Sequence, residues 1–389
     1  MPWETTDAME QRRRFVLRAM DPTACMAELC REFGIARRTG YKWVERFRKR
    51  GETGLDELSR RPNVSPSTTP AEVQLEVLKL RLNHPTWGPK KLLELLKKRL
   101  KGSQRVPAAS TIARVLADAG LVQPRRRRSP RSHPSSSERV TPEGPNDLWT
   151  VEFKGWWRTR DGRRCEPLTI RDEWNRFLLD IRPLESTKTA VVRPVFEEAF
   201  SRYGLPATIR TDNGSPFACT RSLVRLTKLS AWWVALGIKL DTIDPGAPQQ
   251  NGGHERMHKD LAAEIERNPS ADVRTQQSSL EDWKLSFNTE RPHEALDMKT
   301  PAALYAPSTE RYNGQSPEIV YPDAFHVRSV NGSGHIKFGG NSRFLSHALT
   351  SWPVGLEIHE QELNICFADL CLGVTNLQLS TPLLGTTPQ

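Results

Sequence analysis

A chain of 389 residues with a formal net charge of +11 is too long for one ordinary domain, since domains run to about 100–200 residues each. It holds no apolar run of about 18 residues, which excludes a membrane-spanning helix by pattern, and residues 1–20 lack the apolar core of a secretory signal. Six cysteines with no CxxC pair and no zinc-type histidine spacing exclude a disulfide framework and suit a reducing cytoplasm.

The charge is unevenly spread. Residues 1–145 carry 30 Lys and Arg against 16 Asp and Glu, whereas residues 146–389 carry 27 against 30. A basic front third attracts phosphate backbones and a near-neutral remainder is left for another task, unless the charge is only a solvated surface.

The first predicted elements are two helices over residues 25–33 and 37–47, separated by Gly34-Ile35 as in a helix-turn-helix. Met26, Leu29, Cys30 and Phe33 share one face of the first. Tyr41, Val44 and Phe47 form the apolar stripe of the second, which leaves Arg37, Arg38, Lys42, Arg46 and Arg48 to solvent or the DNA major groove. This domain is assigned to residues 1–58. A Pro-rich stretch, 59–70, leads to a second helical module at 70–123. There Pro89 opens a helix beside Lys90 and Lys91, a phosphate-facing start, and Trp87 is read as a core plug rather than a base-stacking ring. Residues 124–145, rich in Arg, Ser and Pro, read as a linker.

Beyond the linker the pattern changes to strands. Trp149-Thr150-Val151-Glu152-Phe153 alternates, so Trp149, Val151 and Phe153 face a core and Glu152 projects from the other side. Strands at 165–170 and 176–181 and a helix at 187–203 closed by Gly204 follow, an α/β arrangement. A short strand at 208–211 ends in Asp212-Asn213-Gly214, a carboxylate at a strand's carboxyl end. After a helix with Trp232 and Trp233 and a strand near 240–243, a Gly- and Gln-rich loop leads to Glu255 at a helix start, with His258 and Lys259 one turn on and in reach of DNA phosphate.

Carboxylates on a strand, at a strand end and on a helix suit a pair of Mg²⁺ (or Mn²⁺) ions, hard cations that take oxygen ligands and support in-line phosphoryl transfer. The expected ligands are Glu152, Asp212 and Glu255, with Asn213 orienting them.

The series LWTVEFKGWW, TDNGSPF, QQNGGHERMHKDL and FNTERPHEALDMKTPAALY resembles the insertion-sequence transposases of the retroviral-integrase-like DDE superfamily, in order and spacing along nearly the whole chain. The resemblance implies paired helix-turn-helix modules, an RNase H-like core at 146–310, divalent metal, an acidic triad at 152, 212 and 255, and cutting and joining of double-stranded DNA at element ends. It departs in two places. Glu152 stands where the family has Asp, which moves the carboxylate by roughly 1.3–1.5 Å; Asp147, five residues back, points to the opposite face. The 42 residues between Asp212 and Glu255 exceed the common interval, the excess falling in a helical segment at 219–237.

Further on, Arg291 either meets phosphate or pairs with Glu290 or Glu294 to close the core. Residues 320–380 read as short strands forming a small β-barrel. The expected molecule is therefore multidomain: α-helical helix-turn-helix modules, an α/β RNase H-like core and a small β-barrel, acting as a homo-oligomer, dimer or higher, at the bacterial nucleoid. The functions left open are an active DNA transposase, a DNA-binding protein or repressor that has lost its chemistry through residue 152, and a nonspecific nuclease in which water, never a DNA 3′-hydroxyl, attacks.

Overall fold

The computed structural model describes residues 7–57, 68–100, 105–122, 140–219, 224–244, 251–315, 317–360 and 362–376. Most of both expected linkers and the loop 245–250 lie outside the described residues. The chain divides into two compact units, Met1–Thr68 and Thr69–Gln389.

In the first unit, helix α1 (Ala8–Ala19), capped by Asp7, packs with α2 (Met26–Glu32) and α3 (Arg37–Arg50) around Phe15, Val16, Leu29, Cys30, Trp43, Val44 and Leu55. Helix α1 completes the three-helix core. The α3 stripe is also rotated from the one expected: Tyr41 is 59% exposed and Trp43 is buried in its place. Gly40 explains the rotation. A Cβ there would lie 2.7 Å from Cys30 Sγ and 2.8 Å from Phe15 Cζ, so α3 presses its Gly40 side against α1 and α2.

The second unit begins with α4 (Ala71–Asn83), α5 (Pro89–Arg99) and α6 (Ala109–Asp118), packed around Val73, Val77, Leu80, Leu92, Leu96, Ile112 and Leu116 with Trp87 buried among them. Arg81 closes this module by donating to the carbonyls of Trp87 and Leu121.

The strands β1 (Leu148–Phe153), β2 (Trp157–Arg158), β3 (Arg164–Asp172) and β4 (Leu178–Leu184) follow, then α7 (Thr189–Tyr203), β5 (Thr208–Thr211), α8 (Lys228–Ala235), β6 (Lys239–Thr242), α9 (Gly252–Leu261) and α10 (Val273–Thr289). β1, β3 and β4 pair antiparallel, and β5 and β6 continue the sheet parallel to β1. Alternation sorts the side chains. Trp149, Val151, Leu168 and Ile170 enter a core with α7 and α8, while the opposite face packs Leu178 and Ile181 against Met257, Leu261, Leu280, Trp283 and Phe287 of α9 and α10. Glu152 projects to the α9 side.

Helix α8 buries apolar side chains on opposite faces from Leu229 to Val234, as a helix covered from two directions must. Trp232, Trp233 and Leu229 join the central core, while Ala231 and Val234, with Val224 and Leu226, join a cluster on the C-terminal strands. The extra length between Asp212 and Glu255 thus builds the wall that the C-terminal sheet rests on.

That sheet corrects one expectation. Strands β7 (His326–Ser329), β8 (His335–Phe338), β9 (Asn341–Phe344), β10 (Pro353–His359), β11 (Glu362–Phe367) and β12 (Leu370–Asn376) form an open four-stranded sheet, ordered β12-β11-β10-β7, and a separate β8–β9 hairpin. They do not close into a β-barrel: β7 and β12 are opposite edges. The sheet has no need to curl onto its own apolar face, because α8 and its flank cover Val354, Leu356, Leu363 and Ile365. Among the described residues no helix is long and apolar enough to cross a membrane.

Candidate active site

The parallel pairing of β1 with β5 aligns Leu148 with Thr208 and runs to Val151 opposite Thr211. The next position on each chain is a carboxylate, Glu152 and Asp212, so both stand at the carboxyl ends of adjacent strands about 4.8 Å apart. Asp212 opens a tight turn in which the Gly214 N–H donates to its Oδ1 at 3.1 Å. Asn213 donates from Nδ2 to the Ile243 carbonyl at 2.6 Å, tying that turn to the end of β6. Asp147 plays a separate part, accepting from the Glu143 and Gly144 N–H groups.

Helix α9 covers the Glu152 face. At its N-cap, Asn251 donates from Nδ2 to Glu152 Oε2 at 2.8 Å. Thr169, opposite Glu152 on β3, donates from Oγ1 to the Glu152 carbonyl at 2.8 Å and lies 3.0 Å from His258 Nε2. Glu255 is one turn beyond Asn251 on the same helix and lies 3.6 Å from Lys259. The entry of α9 is set by Gly253, whose missing side chain leaves room for the buried guanidinium of Arg171. Arg171 itself pairs with Glu173. Gly253→Ala is expected to push α9 off this seat and lower stability by about 1–3 kcal/mol; a denaturant melt beside Gly252→Ala, whose Cβ would meet open space, separates packing from helix propensity.

The electrostatics bind the three carboxylates together. Glu152 is pushed up to about 7, first by burial and then by the charges of Asp212 and Glu255, with Arg171 opposing. Its side chain is 27% exposed, so it lies beneath α9 rather than standing in open solvent. His258 is driven down to about 3 by burial, Lys154 and Arg171. It is therefore neutral at pH 7, and its 4.0 Å approach to Glu152 is not an ion pair. Among the described residues no group of three or more His, Cys, Asp or Glu is gathered closely enough to hold a metal ion. The charges of Asp212 and Glu255 nonetheless both act on Glu152, a repulsion between oxygen donors that a hard divalent cation would relieve.

Several expected DNA contacts face elsewhere. His258 is 11% exposed and packs behind Glu152 instead of toward phosphate. Arg291 is 3% exposed and pairs with Asp260 and Glu264, not with Glu290 or Glu294. Lys90 pairs with Glu294 at 3.0 Å, and Lys91 is half-buried and lowered to about 8 by burial and then by Arg291. The cause is shared: Thr86 bonds Glu264 and Arg291 lies over the Trp87 ring, so the start of α5 docks on the core beside α9 and α10. Arg291→Ala should leave Asp260 and Glu264 without their buried partner and cost about 3–5 kcal/mol, read as a lower urea midpoint; a loss below 1 kcal/mol would refute a structural role. On α3, Arg37, Arg38 and Lys42 are exposed as expected, whereas Arg46 is half-buried with its guanidinium 5.1 Å from the Trp43 ring. Asn251, Thr169 and Arg171 were not singled out from the sequence. Only Asn251 carried a signal, four residues before Glu255.

Residues 236–301 match the family described as Integrase core domain, residues 39–116 a Homeodomain-like domain and residues 11–63 a Helix-turn-helix domain. The chain is 26% identical over 245 residues to the uncharacterized 39.2 kDa protein of insertion element IS476 from Xanthomonas euvesicatoria, covering 62% of this chain and 67% of that one. It is 26% identical over 196 residues to the uncharacterized 31.7 kDa protein of insertion element IS407 from Burkholderia multivorans, covering 50% and 68%. Among solved structures it is similar to the HTLV-2 integrase catalytic core domain in complex with magnesium, with 15% identity, 42% of this chain, 99% of that chain and a TM-score of 0.31. A simian T-cell lymphotropic virus intasome in complex with a PP2A regulatory subunit gives 15%, 77%, 95% and 0.37.

Proposed function

We propose, for a chain that belongs to the insertion-sequence transposases of the retroviral-integrase-like DDE superfamily, that it cuts DNA at element ends and joins the freed 3′-hydroxyls to target DNA. The observation that carries this reading is the register that sets Glu152 beside Asp212 under the helix bearing Glu255. In this proposal Glu152, Asp212 and Glu255 hold two Mg²⁺ or Mn²⁺ ions, which supply Lewis-acid activation and charge neutralisation when bound. Asn251 holds the Glu152 carboxylate, Thr169 fixes its backbone, and Asn213 keeps the Asp212 turn against β6. The first domain, residues 1–58, reads end sequence through Arg37, Arg38 and Lys42 of α3, and the module at 70–123 adds a second grip. Residues 124–145 link these to a core at 146–310, and the sheet within 320–380 is an accessory. Two DNA ends must be brought together, so a dimer or higher assembly is part of the proposal, as is action at the nucleoid.

The test is the purified full chain with Mg²⁺ or Mn²⁺ and a labelled duplex carrying the inverted repeats that flank its coding region. Nicked strands and joined products are expected. Binding without either product, together with activity gained by Glu152→Asp, would instead assign a DNA-binding protein that has lost its chemistry.

A further inference from the structure

We infer that the β2–β3 hairpin and the tryptophan before it form a DNA-strand platform beside the carboxylates, in which Trp156 stacks an unpaired base and Arg158, Arg160, Arg163 and Arg164 hold its phosphates. The inference rests on the proposed reaction, which needs a strand end at Glu152.

The two neighbouring tryptophans show what is unusual. Trp157 points inward, is buried and donates from Nε1 to Gln276 Oε1 at 3.4 Å. Trp156 points outward and is 52% exposed. An exposed indole offers a rigid apolar face with a polar edge. Two cations flank its ring: the Arg164 guanidinium lies 5.1 Å from the ring centroid and that of Arg158 5.7 Å. This pairing of π face and positive charge is what a nucleotide meets on a single-strand binding surface.

Charge points to the same occupant. Residues 158–164, RTRDGRR, hold four arginines and one aspartate in a core domain that is otherwise near neutral. Arg158 donates to the Gly162 carbonyl at 2.6 Å, and among the described residues no carboxylate forms an ion pair with it. Arg163 is 72% exposed and faces Asp161 at 3.7 Å, where phosphate competes for it at little cost; Arg164 is 49% exposed and is held in place by the buried Glu166 at 2.6 Å.

The hairpin is also rigid. Arg160 and Asp161 donate their backbone N–H groups to the Ser270 and Ala271 carbonyls at 3.0 Å each, and Thr159 bonds the Arg163 carbonyl across the turn at 3.0 Å. A fixed platform loses little entropy on binding. Trp156 lies four residues after Glu152, so their Cα atoms are at most about 14 Å apart, roughly four nucleotides of one strand at 3.4 Å each.

The experiment measures binding of the full chain, in EDTA, to a blunt duplex and to the same duplex with a short thymine overhang bearing a terminal 2-aminopurine. Trp156→Ala should weaken overhang binding about tenfold and abolish the 2-aminopurine quenching, with the blunt duplex unchanged and Trp156→Phe restoring most of the loss. Arg158→Ala should weaken both DNAs and reduce the salt slope by about 1. Equal affinity of Trp156→Ala and the parent for the overhang, or equal losses on both DNAs, would overturn the inference. Metal is absent, so failure of the cutting assay would refute the proposed reaction without touching this result, and normal cutting with an unaffected Trp156→Ala would refute the platform alone.

Discussion

Asp212→Asn and Glu255→Gln are each expected to lower strand joining by about a thousandfold, roughly 4 kcal/mol of transition-state stabilisation, while binding of end DNA changes less than threefold. The separation follows from the layout. Neither carboxylate supports the fold, since among the described residues Asp212 accepts a hydrogen bond only within its own turn and Glu255 is a half-exposed partner of Lys259. Both lie on the face where Glu152 is held by Asn251. Glu152→Asp should also lose activity, at least tenfold, because retracting the carboxylate breaks the 2.8 Å contact from Asn251 around which this version of the site is built. Rates are read from single-turnover joining of a labelled end. Retention of full activity in either Asp212→Asn or Glu255→Gln would remove the triad from the mechanism.

Glu152→Gln should stabilise the metal-free protein while abolishing joining. In the fold the Glu152 carboxyl sits at about 7 against an ordinary value of 4.5, so it binds its proton more tightly folded than unfolded. The associated stability is complete below pH 4.5 and is lost as pH rises through 7. Gln keeps an acceptor for Asn251 and carries no charge. The two proteins should therefore melt alike below about pH 4.5, and above pH 8 the variant should be the more stable by about 3 kcal/mol. Comparing the pair at each pH removes the opposing effect of the buried histidines His254 and His293, whose lowered values act on both proteins alike. Added Mg²⁺ should reverse the order at pH 8, because only the parent offers the third carboxylate. A variant no more stable than its parent at pH 8 in EDTA would show that Glu152 carries no such strain.

Much of this site could be read along the chain because its parts obey local rules. The alternation from Trp149 to Phe153 turns Glu152 away from the core, and a short strand followed by Asp-Asn-Gly puts Asp212 at a strand's end; both hold, and the register then makes them neighbours. What failed depends on packing that no local pattern encodes. His258 and Lys259 are adjacent in sequence, yet one is buried against Thr169 and the other is exposed. For Arg291 the sequence leaves phosphate contact and closure of the core open, and the pairing that closes the core uses Asp260 and Glu264, brought together beside α5, instead of Glu290 or Glu294. Tyr41 lost its place to Trp43 because Gly40 let α3 sink closer to its neighbours. Asn251 and Arg171 act on Glu152 across about 100 and 20 residues of chain, distances at which periodicity says nothing.

Helix α8 carries a consequence for how the C-terminal sheet belongs to the molecule. Its Trp232 and Trp233 are fixed among the core aromatics, and its Ala231 and Val234 are fixed under Leu356 and Ile365. Eight residues thus serve as a party wall, with no solvent gap between the two rooms it divides. Opening the C-terminal sheet would bare the back of a helix that holds the sheet carrying Asp212, so the two regions are expected to melt as one cooperative body in a denaturant titration. Evolution could not lose or exchange that sheet as a cassette without rebuilding the interval between the second and third carboxylates.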